Sequence, residues 1–127
     1  MRLLGPINSG IGAGGNNAAT NNYTTTFQVV GRVAGIYVRY NHTCPAGTDV
    51  TVSTVGTSPA IPTQTLLSLV NANTDGLFLP RVLADDIVGA ELSDLTSAEP
   101  IAISDFVKVL IAQANNGDSV DVWLLLE

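Results

Sequence analysis

Charged side chains are scarce in this chain of 127 residues, of which 13% are Asp, Glu, Lys or Arg. Soluble globular proteins have about 25%. A freely exposed protein surface normally carries many charged side chains, and this chain has too few of them. The composition therefore favours an assembly component that is largely covered by its neighbours. The alternative is a small β-domain that is solvated by its thirteen Thr and ten Asn residues.

Basic residues are scarcer than acidic ones. Five Lys and Arg stand against eleven Asp and Glu, for a net charge of −6, and Asp49 is the first acid in the chain. Nucleic acids and anionic membranes are both bound through basic patches. We therefore expect neither nucleic acid nor a membrane among the partners.

Cysteine and long apolar runs are also scarce. Cys44 is the single cysteine, so no disulfide can form within the chain and nothing indicates an oxidising compartment. No stretch reaches the 18 or so apolar residues of a membrane-spanning helix. The pair Leu3 and Leu4 is far shorter than the apolar core of a signal peptide. We therefore expect synthesis and assembly in a cytoplasm.

Few residues can support catalysis or metal binding. His42 lies near Cys44, but zinc needs four ligands and the chain has one His and one Cys. We interpret both as turn residues at the end of a strand. A Ser-His-Asp triad would have to use His42, and no G-x-S-x-G motif is present. We predict no catalytic residue, no cofactor site and no metal site, so the chain is not expected to be an enzyme.

Residues 10–15 read G-I-G-A-G-G and match the G-x-G-x-x-G pattern of dinucleotide sites. Such a site needs a strand before the glycines, a helix after them and an acid about 20 residues further on. Here Thr-rich, β-prone sequence follows, and no acid precedes Asp49. We interpret the match as part of a low-complexity segment.

Acidic residues gather between Asp85 and Glu99, where they lack the spacing of an EF-hand loop. We interpret this section as a solvated loop in preference to two alternatives. The first alternative is a loop that contacts a basic partner surface, and the second is a loop that binds a cation.

Three tyrosines raise the question of carbohydrate binding. Tyr23, Tyr37 and Tyr40 would suit a sugar-stacking platform. Tyrosines this close together are more often neighbours in a sheet.

Apolar residues alternate with others through much of the chain, which is typical of β-strands that lie on a core. Residues 105–126 predict a β-hairpin with a turn at 115–118. The last strand has an inner face of aliphatic residues, and its other face carries Trp123 and Leu125. A strand with two apolar faces would aggregate if one were left uncovered, so we predict that Trp123 and Leu125 contact another chain.

Turn residues divide the chain into seven or eight short strands, the spacing of an all-β sandwich or jelly roll. Residues 1–22 are rich in Gly and Asn and poor in bulky apolar groups. We predict that they form an extended arm that is ordered only by partners. Residues 23–127 are predicted to form a single β-domain.

Four segments carry a resemblance to a known class of proteins. Residues 35–41 (GIYVRYN), 48–51 (TDVT), 71–81 (NANTDGLFLPR) and 107–126 resemble small structural proteins of tailed-bacteriophage virions. The resemblance is closest to capsid decoration or cement proteins, and it extends over residues 27–126.

The resemblance implies a β-sandwich or tulip-like module, commonly a homotrimer, whose arm ties neighbours together. Its implied partner is the major capsid protein, bound on the capsid exterior where subunits meet, after assembly in the host cytoplasm. Trp123 and Leu125 would serve there as buried apolar anchors, and Arg39 and Arg81 would pair with carboxylates on the shell. A carbohydrate-binding or structural module of a phage tail or fibre is the alternative.

Overall fold

The computed structural model describes residues 1–56, 62–83 and 98–127. The acidic section 85–99 lies outside this part of the chain except for its last two residues, Ala98 and Glu99. The described residues form ten strands: β1 (Arg2–Asn8), β2 (Ala19–Thr24), β3 (Val29–Asn41), β4 (Asp49–Thr54), β5 (Thr65–Leu69), β6 (Gly76–Phe78), β7 (Arg81–Leu83), β8 (Ala98–Asp105), β9 (Val107–Ala114) and β10 (Ser119–Leu126).

The strands form two antiparallel sheets. The first has six strands in the order β1-β10-β3-β8-β7, with β6 also paired to β3, and the second has four in the order β2-β9-β4-β5. The sheets pack against each other around one apolar core. The predicted all-β class is confirmed, and the architecture is a β-sandwich. The described residues contain no helix that is long and apolar enough to cross a membrane.

Alternation of side chains along the central strands builds the core. In β3, Ile36 and Val38 are fully buried, whereas the intervening Tyr37 is 40% exposed. The same alternation holds in β4, as the sequence predicted. The largest fully buried side chains come from β3, β4, β9 and β10: Val29, Val33, Ile36, Val38, Val50, Val52, Val107, Val109, Ile111, Val120, Leu124 and Leu126.

The last two strands do not form the predicted hairpin. β9 pairs with β2 and β4 in the second sheet, whereas β10 pairs with β1 and β3 in the first. The turn at residues 115–118 therefore carries the chain from one sheet to the other. Both strands have an apolar face, and these faces meet across the core instead of lying side by side in one sheet.

The N-terminal segment also differs from the predicted arm. Residues 2–8 form β1 at the edge of the first sheet, and β2 begins at Ala19 at the edge of the second. Ile7 and Ala19 lie in the core, so partners within the same chain order this segment. The boundary predicted between residues 22 and 23 falls inside β2, and the β-domain includes these residues.

Candidate interaction surface

Apolar side chains cover part of the solvent-facing side of the first sheet, a region called here the outer face. Cross-strand register builds it from two rows. In one row Leu125 of β10 lies between Leu3 of β1 and Gly35 of β3. In the other, Trp123 lies beside Tyr37, which pairs in turn with Leu77 of β6. Neighbours in such rows pack against each other on one side of a sheet.

Gly35 makes room for the leucines of the outer face. A Cβ atom at this position would lie 3.3 Å from both Leu77 Cδ1 and Leu79 Cδ2, so these side chains rest directly over the glycine backbone. Leu77 and Leu79 nevertheless remain 57% and 59% exposed, and Leu3 is 63% exposed. The outer face, formed by Leu3, Tyr37, Leu77, Leu79, Trp123 and Leu125, is thus a contiguous apolar surface that the described residues 1–56, 62–83 and 98–127 leave uncovered.

Trp123 is held at the middle of this surface by three neighbours. A bulge in β1 brings Gly5 against the indole, where an added Cβ would lie 3.0 Å from Cδ1. The rings of Tyr37 and Trp123 have centroids 5.5 Å apart and are tilted by 56°. The Arg39 guanidinium carbon lies 5.1 Å from the indole centroid, in cation–π geometry. The ring is therefore held in place by contacts within the chain.

A polar cluster borders the apolar surface and is centred on the Asp121 carboxylate. Arg39 Nη2 donates to Asp121 Oδ2 over 2.6 Å. Asn8 Nδ2 donates to Oδ1 over 2.7 Å and Asn41 Nδ2 to Oδ2 over 3.1 Å. Both amides also reach Ser119 Oγ. The cluster joins β1, β10 and β3 side by side.

Burial of Asp121 raises the pKa of its carboxyl group, but the hydrogen bonds from Asn8, Arg39 and Asn41 and the charge of Arg39 outweigh burial. The pKa therefore lies below its usual range. Because the folded pKa is below the unfolded one, the carboxylate stabilises the fold above the unfolded pKa of about 3.9. That contribution is lost as the pH falls through the folded pKa.

Asp121→Asn provides the corresponding test. Urea unfolding of the wild type and the variant between about pH 6 and about pH 2 should give a difference in free energy of unfolding that is largest near pH 6 and shrinks as the pH falls. A difference that stays constant over this range would contradict a stabilising role for the ionised carboxylate.

The four predicted interface residues, Trp123, Leu125, Arg39 and Arg81, do not all lie on the same surface. Trp123, Leu125 and Arg39 lie on the outer face or at its margin. Arg81, at the start of β7, donates from Nη1 to the carbonyl oxygens of Ala34 and Pro80, over 2.9 and 2.8 Å. Both arginines thus have partners within the chain, and the Arg39 side chain is still 50% exposed.

Sequence reasoning missed Leu3, Leu77 and Leu79. Leu3 was assigned to the arm, whereas the leucines at 77 and 79 share a face because they are two residues apart. That spacing is a signal that the sequence offered. The pairing of β6 with β3, which puts these leucines beside Tyr37 and Gly35, has no local signature.

The tyrosines do not form a common platform. Tyr37 lies on the outer face, Tyr40 is 9% exposed on the inner side of the same strand, and Tyr23 belongs to the second sheet. Burial, with the nearby Cys44, Asp75 and Asp49, raises the pKa of Tyr40 to about 12. A sugar-stacking site built from these three rings is ruled out by their positions.

His42 and Cys44 follow the end of β3, as expected for turn residues. His42 has a φ of 65°. Cys44 is buried, and its Sγ donates to the Asn41 carbonyl over 3.5 Å. Burial and then Asp118 raise the pKa of this thiol to about 11, so it is a poor nucleophile. Within the described ranges, no group of three or more His, Cys, Asp or Glu residues is arranged to hold a metal ion.

The glycine-rich segment has a simple structural role. It connects β1 to β2, so a strand follows it where a dinucleotide site needs a helix. Gly12 N–H donates to the Asp118 carbonyl over 2.7 Å, and Ala13 bridges to Thr20. These bonds join the loop to the turn between β9 and β10 and to β2.

A groove of about 690 Å³ opens beside the glycine-rich loop, between the edge strands β1 and β2. Leu4 to Asn8 form one wall, and Asn21, Asn22, Tyr23, Thr25 and Phe27 form the other. It lies at the edge of the sandwich, apart from the leucines of the outer face.

Comparison of this chain with protein-family models, curated proteins and solved structures finds no match.

Proposed function

We propose that this chain is a structural protein of a phage virion that binds the outer surface of the capsid, at contacts between major capsid subunits, and stabilises the shell. The observation that carries the proposal is the contiguous apolar outer face. Soluble monomers seldom leave large apolar patches uncovered, and such patches mark sites of protein association. The resemblance described above supplies the kind of partner.

The outer face has the properties of a rigid docking surface. Five of its six residues lie on paired strands, and Leu79 directly follows β6, so little backbone ordering accompanies binding. Trp123 is already clamped by Tyr37 and Arg39, and aromatic residues of this kind contribute strongly to interfaces. The polar cluster around Asp121 lies at the margin, where interfaces are typically hydrated.

A decoration protein of this kind acts by bridging. Each contact adds a small free energy, but a module that touches several capsid subunits at once gains from high effective concentration. No reactive group is needed for this role. The resemblance further implies a homotrimer, which would multiply the contacts that each decoration unit makes with the shell.

Leu77→Asp is expected to abolish binding to shells assembled from the phage's major capsid protein. The side chain is 57% exposed, so the fold should tolerate the change, whereas the new carboxylate would be desolvated in the interface without a partner. Co-sedimentation with shells measures binding, and analytical ultracentrifugation of the free protein measures its oligomeric mass.

Val70→Asp is the matched control. Val70 is 65% exposed and follows β5 of the second sheet, away from the outer face. The control should bind like the wild type. Normal shell binding by Leu77→Asp, with thermal unfolding unchanged, would contradict the proposed role of the outer face.

A further inference from the structure

The groove between β1 and β2 is a second surface with its own chemistry. Its volume of about 690 Å³ falls in the range of small-molecule sites. Gly10 is part of the lining, and a Cβ atom at this position would lie only 2.6 Å from Asn21 Nδ2. The walls belong to different sheets, so the site depends on the packing of the whole sandwich.

The lining of the groove has no charged side chain, although the whole chain carries a net charge of −6. Its apolar surface includes two aromatic rings that remain open to solvent, Tyr23 at 42% and Phe27 at 48% exposure. A neutral ligand suits such walls, because a charged one would lose hydration without gaining an ionic partner. Exposed rings offer flat surfaces on which an apolar face can stack.

The turn that presents Phe27 is fixed by a buried residue. Thr25 Oγ1 donates to the Phe27 carbonyl over 2.8 Å and accepts from Val107 N–H over 3.0 Å. Thr25 N–H donates to the Val107 carbonyl over 2.9 Å. Two hydrogen bonds therefore join Thr25 to β9, and a third joins Thr25 to the Phe27 backbone. The backbone that carries the ring is thus held in place, and a ligand would meet a largely preformed site.

Hydrogen-bonding groups lie beside the rings. Among the described residues, neither the Asn22 side-chain amide nor the Tyr23 hydroxyl has a hydrogen-bond partner, whereas the Asn8 and Asn21 amides are both occupied. An amide supplies donors and an acceptor, and a phenol supplies one donor and an acceptor. This combination matches a ligand with several hydroxyl groups.

The edges of the groove are poorly suited to an extended peptide. A peptide that adds to a sheet needs a regular row of free backbone groups. On β1 that row is interrupted by the bulge between Leu4 and Ile7, and Pro6 has no N–H. On β2 the Ala13 bridge occupies Thr20, and the Asn21 side chain already accepts from Asn22 N–H over 2.7 Å.

We propose that this groove binds a neutral oligosaccharide. Sugars combine apolar C–H faces, which stack on aromatic rings, with hydroxyl groups, which pair with amides and phenols. Both features are met here by uncharged walls. The site is independent of the outer face and of the proposed capsid role, because the two surfaces use different side chains.

The test uses the full chain and an array of neutral hexose and N-acetylhexosamine oligosaccharides, with sialylated and sulfated members as charged counterparts. Neutral members should bind. The strongest of them is then titrated into ¹⁵N-labelled protein, and backbone signals of residues 4–10 and 21–27 should shift. A soluble peptide with the sequence of residues 19–24 is titrated in parallel as a strand-like probe.

Tyr23→Ala and Phe27→Ala are each expected to weaken binding of that oligosaccharide roughly three- to tenfold, the effect of losing one aromatic stacking contact. Tyr23→Phe should weaken it less, because the ring remains. Tyr37→Ala is the matched control, since Tyr37 is 40% exposed on the outer face, and its affinity should equal that of the wild type. Thermal unfolding verifies that each variant is folded.

Four results would overturn the proposal: binding of no array member, binding of charged members alone, equal loss of affinity in Tyr37→Ala, or binding of the peptide in place of the sugars. None of them bears on shell binding, which Leu77→Asp tests separately.

Discussion

Leu124→Ala is expected to lower the free energy of unfolding by about 2–5 kcal/mol, the range for removing a buried leucine side chain from a packed core. Leu124 has no exposed surface. It pairs with Leu4 on one side and Ile36 on the other, so it occupies the middle of an inner row that spans three strands. These neighbours are fixed in the sheet and cannot collapse fully into the cavity. Urea unfolding with comparison of m-values measures the loss.

Leu125→Ala is the control for this prediction, because it removes the same group from the next residue of the same strand. Leu125 is only partly buried on the outer face, so its truncation should cost about 1 kcal/mol. An equal decrease in the free energy of unfolding in the two variants would show that both faces of β10 are internal. That result would also remove Leu125 from the candidate interaction surface.

The inner faces of the central strands were predictable because side-chain alternation is a local property. Val50, Val52, Val122 and Leu124 are buried, as the period-two pattern indicated. The separation of Trp123 from that inner face follows from the same geometry. The solvent-facing side of β10 was therefore predictable, although the neighbours that surround Trp123 were not.

Strand pairing was less predictable, and the last two strands show why. Alternation reveals that β9 and β10 each have an apolar face. The same pattern fits two strands that lie side by side in one sheet and two strands that face each other across a core. The short turn favoured a hairpin. The structure has the second arrangement, because the two strands find partners in different sheets.

The N-terminal segment was mispredicted for a related reason. Gly and Asn lower the local preference for a strand, and residues 1–22 offer few apolar anchors. Burial of Ile7 and Ala19 depends on strands that lie far away in sequence. The walls of the groove depend on the same long-range placement, so no local pattern could have indicated this site.

Deletion of residues 2–8 is expected to lower the free energy of unfolding by an amount comparable to that of the core substitution. The deletion removes β1 and with it the buried Ile7 side chain, whose burial alone stabilises the fold by about 1.5–3 kcal/mol. It also leaves the backbone groups of β10 that pair with β1 without partners. We expect a loss of at least about 3 kcal/mol in the free energy of unfolding.

The same deletion should make the protein prone to aggregation. With β1 removed, β10 becomes an edge strand that carries Trp123 and Leu125 on one side and core residues on the other, which is a template for pairing with a second chain. Leu3→Ser is the control, because it changes a 63% exposed side chain and keeps the strand. Thermal unfolding and light scattering of the two variants measure both effects. If the deletion variant unfolds cooperatively at the wild-type temperature and stays soluble, β1 is dispensable for folding and the segment acts as a separable arm.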